Sequence, residues 1–158
     1  MMSTIQSDHF SAALSILLDE TFDSVHGYYL DRRTSLFETL EGISADEASI
    51  PVGGKCATLA AQVKHTAFYL EVARASIQDP DYPGADWGEI WRTVSRVTPQ
   101  EWKAIQSELR LSYNRILDLI KETPAWLNED QIATFIAIIV HSAYHLGEIR
   151  QALCTIKA

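Results

Sequence analysis

The stretch from Ile132 to Leu146 constrains the fold more than any other part of the chain. Phe135-Ile136-Ala137-Ile138-Ile139-Val140 is apolar on every face of a helix, and a helix apolar all round is normally buried all round. Thr134, His141, Ser142 and His145 interrupt the stretch, which is short for a bilayer span. A chain built around this segment has to pack other helices against it.

The remaining sequence supplies them. Phe10, Ala13, Leu14, Leu17, Thr21 and Val25 recur at three- and four-residue steps and predict a first helix from about Ser7 to His26, stopped at Gly27. Tyr28 to Gly53 is a mixed connector with a helical piece around Ser35–Leu40 and a capping box at Ser44-Ala45-Asp46-Glu47. A second long helix is predicted from about Lys55 to Ile77 on the stripe Leu59, Val63, Thr66/Ala67, Leu70, Ala73 and Ile77. Asp79 to Gly88 reads as a loop pinned by Trp87 and Trp91. Thr98-Pro99-Gln100-Glu101 combines a cap, a first-turn proline and a capping-box Glu, which opens a third helix through Trp102, Leu109, Tyr113 and Ile120. Pro124 breaks it, and Asn128-Glu129-Asp130-Gln131 starts the last. No segment alternates as a strand does. The expected fold class is all-α, a four-helix bundle with long crossover connections, in a single domain spanning residues 1–158.

Composition narrows the partners. Thirteen Lys and Arg against 21 Asp and Glu leave a formal charge of -8, with neither the basic stripe of a nucleic-acid binder nor a polybasic membrane anchor. Cys56 and Cys154 are too few for a disulfide scaffold and read as small structural hydrophobes. The first ten residues carry no Lys or Arg and no long apolar run, unlike a signal peptide. A cytoplasmic protein acting on a small molecule, without nucleic acid or membrane, is the expectation.

The histidines carry the chemistry. His141 and His145 are four residues apart and project from one helix face, one turn apart. That spacing lets two neutral imidazoles reach one divalent ion. The residue after His141 is Ser142 rather than Glu, so the zincin protease motif is absent. Buried without a partner, two such rings are costly, which a metal or replacement hydrogen bonds would offset. His65, mid-helix with Gln62 and Tyr69 on the same face, is placed to supply a third nitrogen. His9 and His26, at the two ends of the first helix, read as surface or capping residues.

Gln62-Val63-Lys64-His65, followed by His141-x3-His145-x-Gly147, resembles the DinB-like (DinB/YfiT) superfamily of four-helix bundle metalloproteins. The resemblance covers nearly the whole chain: helix count, crossover before the third helix and all three histidine positions. It implies that His65, His141 and His145 bind a divalent metal, zinc or nickel, with water completing the sphere. It further implies a metal-dependent enzyme, either a low-molecular-weight-thiol S-transferase or a hydrolase, and frequent homodimers. The chain departs from the pattern at Glu148, where family members often carry Gln. Glu148 lies seven residues after His141, on roughly the same face, which leaves it open as a fourth ligand, an acceptor behind a ligand or a general base. Tyr69 and Tyr144 are candidates for hydrogen-bonding a bound thiol cofactor or water. Glu20, Glu38, Glu41 and Glu71 read as solvated carboxylates, with support of a metal ligand as the functional alternative. The rival reading is a non-catalytic bundle in which the metal is a staple or the pocket a stress-linked sensor.

Assembly is read from the last helix. With Ile132 at zero, Phe135, Ile136, Ile139, Ala143 and Leu146 fall within about 60°, and His141 and His145 on roughly the opposite side. If the histidines look inward, the Phe135 face looks outward. Either Trp87 and Trp91 cover it or a second subunit does; a two-fold homodimer is expected.

Overall fold

The computed structural model describes residues 5–54, 56–79 and 81–157. Among them the chain is all-α, with no strand. Four long helices dominate: α1 (Ser7–Phe22), α4 (Leu59–Gln78), α6 (Pro99–Glu122) and α7 (Glu129–Ile156). Three short ones lie in the connectors: α2 (Leu36–Leu40), α3 (Ala45–Ala48) and α5 (Glu89–Thr93). α4 packs on α6 and α7, and α1 on the same two helices.

The helix starts follow from short-range chemistry. Glu101 N–H donates to the Thr98 hydroxyl, and Thr98 N–H donates back to the Glu101 carboxylate at 2.7 Å. Each satisfies a donor that the first turn would leave orphaned. Ser44 and Glu47 repeat the arrangement before α3, and Asn128 accepts from Gln131 N–H at 2.8 Å before α7. The second long helix begins at Leu59, because the Thr58 hydroxyl accepts from Ala61 N–H. The expected start at Lys55 lies outside the described residues. Ser35 caps α2 with Glu38, a third capping box that periodicity alone passes over.

α1 is shorter than expected, ending at Phe22 rather than His26. Its cause is Glu20, which is fully buried and accepts backbone N–H groups from Tyr28, Tyr29 and Leu30 at 3.0, 2.8 and 2.7 Å. One carboxylate thus folds the following segment back on the helix. Gly27, at φ 84°, makes the turn. Burial raises the Glu20 carboxyl, but the N–H bonds from Leu30, Tyr29 and Tyr28 together hold it below the usual range. The reading of Glu20 as solvated is overturned.

The core runs through Leu18 and Phe22 of α1, Leu59, Val63 and Leu70 of α4, Leu109 and Ile116 of α6, and Phe135, Ile138 and Ile149 of α7. Phe135, at 1% exposure, corrects the expected orientation of the last helix. Its ring meets Trp126 at 5.0 Å, and Trp126 in turn meets Phe10 at 4.8 Å. The connector before α7 therefore covers this face, not Trp87 or Trp91. The histidines are not opposite Phe135. On a helical wheel His145 lies only about 80° from it, at one edge of the buried arc, and His141 slightly farther out. The outward apolar stripe is instead Ile136, Val140 and Tyr144, all exposed. By length and composition α7 is able to cross a bilayer, with a mean hydropathy of 1.4 over its most apolar window. The helix is longer than the Ile132–Leu146 run suggested, and core helices share this property.

Candidate metal centre

α4 brings His65 and α7 brings His141 and His145 to one place. One ring nitrogen from each lies within 4.8 Å of the others. The Nε2 atoms of His65 and His141 are 3.3 Å apart. A tetrahedral ion with Zn–N bonds of about 2.0–2.1 Å holds its nitrogens roughly 3.3–3.4 Å from each other. The His65–His141 pair matches that spacing, the His145 nitrogen lies within 4.8 Å of both, and three imidazoles suit a divalent metal of borderline softness.

His65 and His145 are buried and His141 half-buried. Burial, followed by the repulsion of a charged His145, pushes His65 and His141 down to about 4 against a partial counter-pull from Glu148. Burial lowers His145 too, with the Glu148 carboxylate opposing it. All three rings are thus neutral near pH 7, the form that coordinates. His145 Nδ1 and a Glu148 carboxylate oxygen are 2.8 Å apart. With Nδ1 as the donor, this pairing leaves Nε2 unprotonated. His65 Nδ1 has no such acceptor among the described residues.

Aromatic rings wall the imidazoles. Tyr69, one turn after His65, stacks on His141 with centroids 3.7 Å apart and planes 15° from parallel. Trp91 lies 4.5 Å from His65, and Trp87 lies 6.4 Å from it. Trp87 and Trp91 remain 45% and 42% exposed. They do more than pin a loop. The short helix α5, which periodicity passes over, carries Trp91 onto the site; two tryptophans four apart in a polar loop are the signal that marks it. Tyr144 is exposed, 5.2 Å from the His145 ring, and the Glu148 carboxylate raises its phenol.

Other expected residues lie elsewhere. His9 is exposed, and His26 pairs with Asp19 at 2.6 Å. Glu38 belongs to the Ser35 cap and Glu41 is exposed. Glu71 joins Arg74, Arg115 and Ser112, so it is an ion-pair hub rather than a freely solvated group. Cys56 and Cys154 are free and exposed, which corrects their reading as structural hydrophobes. A groove of about 670 Å³ beside Phe37, Lys103 and Arg110 contains none of the three histidines. A groove of about 530 Å³ adjoins them through Glu148 and Tyr144.

Comparison with family models, with curated proteins and with solved structures finds no match to this chain.

Proposed function

We propose that this chain is a four-helix bundle metalloprotein of DinB-like type, a divalent-metal-dependent enzyme acting on a small molecule. One observation carries the reading: three neutral imidazoles, from positions 76 residues apart in the chain, meet with nitrogens 3.3 Å apart at their closest. Three protein nitrogens leave a coordination position open, which distinguishes a catalytic site from a closed structural one. A bound divalent ion supplies Lewis acidity there, holding a thiol as thiolate or polarising a carbonyl.

The side chains around it have separable tasks. His65, His141 and His145 are the ligands. Glu148 orients His145 through Nδ1 and is a positioning residue, with its carboxylate also bordering the groove. Tyr69 and Trp91 hold the planes of His141 and His65 and limit the water around them. Tyr144 borders the same groove. Leu18, Leu70, Leu109 and Ile149 of the four long helices share a hydrophobic core, so the helices have their own reason to pack, which favours a catalytic role over a staple.

Ile136, Val140 and Tyr144 are exposed at three- and four-residue steps along α7. An apolar stripe of this kind suits a second copy of the chain, and a two-fold homodimer is part of the proposal.

The test is elemental analysis of purified protein with thermal unfolding before and after chelation, followed by a screen of electrophiles with glutathione, bacillithiol and mycothiol. One equivalent of metal, lost in His65→Ala and His141→Ala but kept in His26→Ala, is the expected result. A chelated protein that stays folded and loses turnover supports catalysis. Retention of full metal content by both ligand variants refutes the site, and unfolding on chelation refutes the catalytic reading in favour of the staple.

A further inference from the structure

Gln62 Oε1 and His65 Nδ1, one turn apart on α4, are both buried and both without a hydrogen bond among the described residues. The two side chains belong to residues only 8% and 6% exposed, and an unpaired buried polar atom is destabilising. Residues three apart on a helix are neighbours, and side chains lean toward the helix N-terminus. The His65 ring therefore tilts over the turn that carries Gln62. Nδ1 is its nitrogen nearer the helix, whose own carbonyls are taken up by the α-helical ladder. The Thr58 hydroxyl, two turns before His65, is also spent: it accepts from Ala61 N–H and donates to the Ser95 carbonyl at 3.1 Å.

The two orphaned atoms are complementary in one protonation pattern only. His65 Nε2 and His141 Nε2 face each other at 3.3 Å, and a hydrogen bond there needs a proton on one of them. With that proton on His65, its Nδ1 is a bare acceptor beside the amide oxygen, and two acceptors do not bond. An Nε2 that coordinates a metal carries no proton. Neutral His65 then keeps its proton on Nδ1 and becomes the donor that Oε1 lacks. On α7 the corresponding contact is already made, since Glu148, three residues from His145, faces its Nδ1 at 2.8 Å.

We propose that Gln62 is the positioning residue for His65, its amide oxygen accepting the Nδ1–H hydrogen bond when Nε2 is turned to the metal. The soft terminal torsion of the amide lets the oxygen swing toward Nδ1. The inference rests on the metal-centre reading and adds that its two buried ligands have unlike supports, a neutral amide for His65 and a carboxylate for His145. Its effect changes sign with the metal. The unpaired oxygen costs stability when no ion is bound and contributes affinity when one is.

The test is Gln62→Leu in the full chain, which removes the acceptor and keeps an apolar side chain at the site. Zinc affinity, measured by competition against a chromophoric chelator, should fall about ten-fold, the lower end for a support behind a metal-bound histidine, because the acceptor is neutral. After chelation the variant should unfold at the same urea concentration as wild type or a higher one, the reverse of what a packing role gives. Long-range 1H–15N spectra of zinc-loaded wild type should show the His65 proton on Nδ1, exchanging slowly with water, and exchanging much faster in Gln62→Leu. Zinc affinity within two-fold of wild type in the variant overturns the positioning role alone, as does His65 coordinating through Nδ1. A weaker zinc affinity matched by an equal loss of stability in the chelated variant also overturns it, in favour of packing. A wild type that takes up no zinc overturns the metal-centre reading and this one with it.

Discussion

Truncating Glu148 separates the roles that a carboxylate one turn from a proposed metal ligand is able to play. In the structure it faces His145 Nδ1 at 2.8 Å, with its side chain 37% exposed. Hydrogen bonds to a charged partner contribute about 1.5–3 kcal/mol, and partial solvent access places this one toward the lower end. Loss of such a support behind a metal-bound histidine typically weakens metal binding about 10–100-fold, which converts to roughly 1.4–2.7 kcal/mol. Glu148→Ala is therefore expected to fall in that range. Glu148→Gln keeps an acceptor oxygen without the charge, so its loss should stay under about ten-fold. The assay is competition for zinc against a chromophoric chelator, with circular dichroism to verify folding. An Ala variant within two-fold of wild type would refute the orienting role. A loss beyond roughly a thousand-fold, equal in Ala and Gln, would mean that Glu148 is itself a ligand, since each ligand of a tight zinc site accounts for several kcal/mol.

Three further outcomes follow from the same coordinates. Glu20→Ala strands three backbone N–H groups at about 1–3 kcal/mol each, so urea unfolding at pH 7 should show a loss of several kcal/mol, with Glu20→Gln losing roughly 2; a variant within 0.5 kcal/mol of wild type would refute the anchor. Metal-free protein should lose stability as pH falls from about 6.5 to about 4, because the unfolded chain takes up protons on His65 and His141 that the folded chain refuses. The loss is on the order of 3 kcal/mol for His65, and imidazole resonances that titrate near 6.5 in the folded state would refute it. Val140→Glu should convert a dimer to a monomer in light scattering while Phe135→Glu unfolds the chain; a wild-type monomer, or a dimeric Val140→Glu, would refute the α7 stripe as the interface.

Much of the helical layout is legible in the sequence because caps and apolar steps are local. Thr98 with Glu101, Ser44 with Glu47, and Asn128 mark real starts for that reason. The end of α1 was not legible, since what stops it is a carboxylate reaching eight to ten residues ahead to Tyr28, Tyr29 and Leu30. The spacing of His141 and His145 marks a shared face, but the helix that meets it comes from tertiary packing, and only the resemblance nominated His65 firmly. The outward face of α7 does not follow from the sequence, because nothing local says that Trp126 folds over Phe135. With apolar residues on all sides, periodicity could not rank one face over another.

The site divides affinity from access between two kinds of structure. The three imidazoles stand on α4 and α7, long helices locked into the core, and such elements hold ligand geometry more precisely than loops do. Trp87 and Trp91 reach the same place from the segment between α4 and α6, in and just before a five-residue helix. Cutting back Trp91 should then leave the ligand positions alone and change what shields them. Trp91→Ala is expected to shift the zinc equilibrium constant less than about ten-fold, because no ligand is lost. Its release rate to an excess of chelator should rise, because the ring that covers His65 at 4.5 Å is gone. The His65 imidazole, relieved of part of its desolvation, should titrate closer to its ordinary value in the metal-free protein. Unchanged release together with an unchanged His65 titration would mean that Trp91 shields nothing, and that access to the histidines is governed from the groove side by Glu148 and Tyr144.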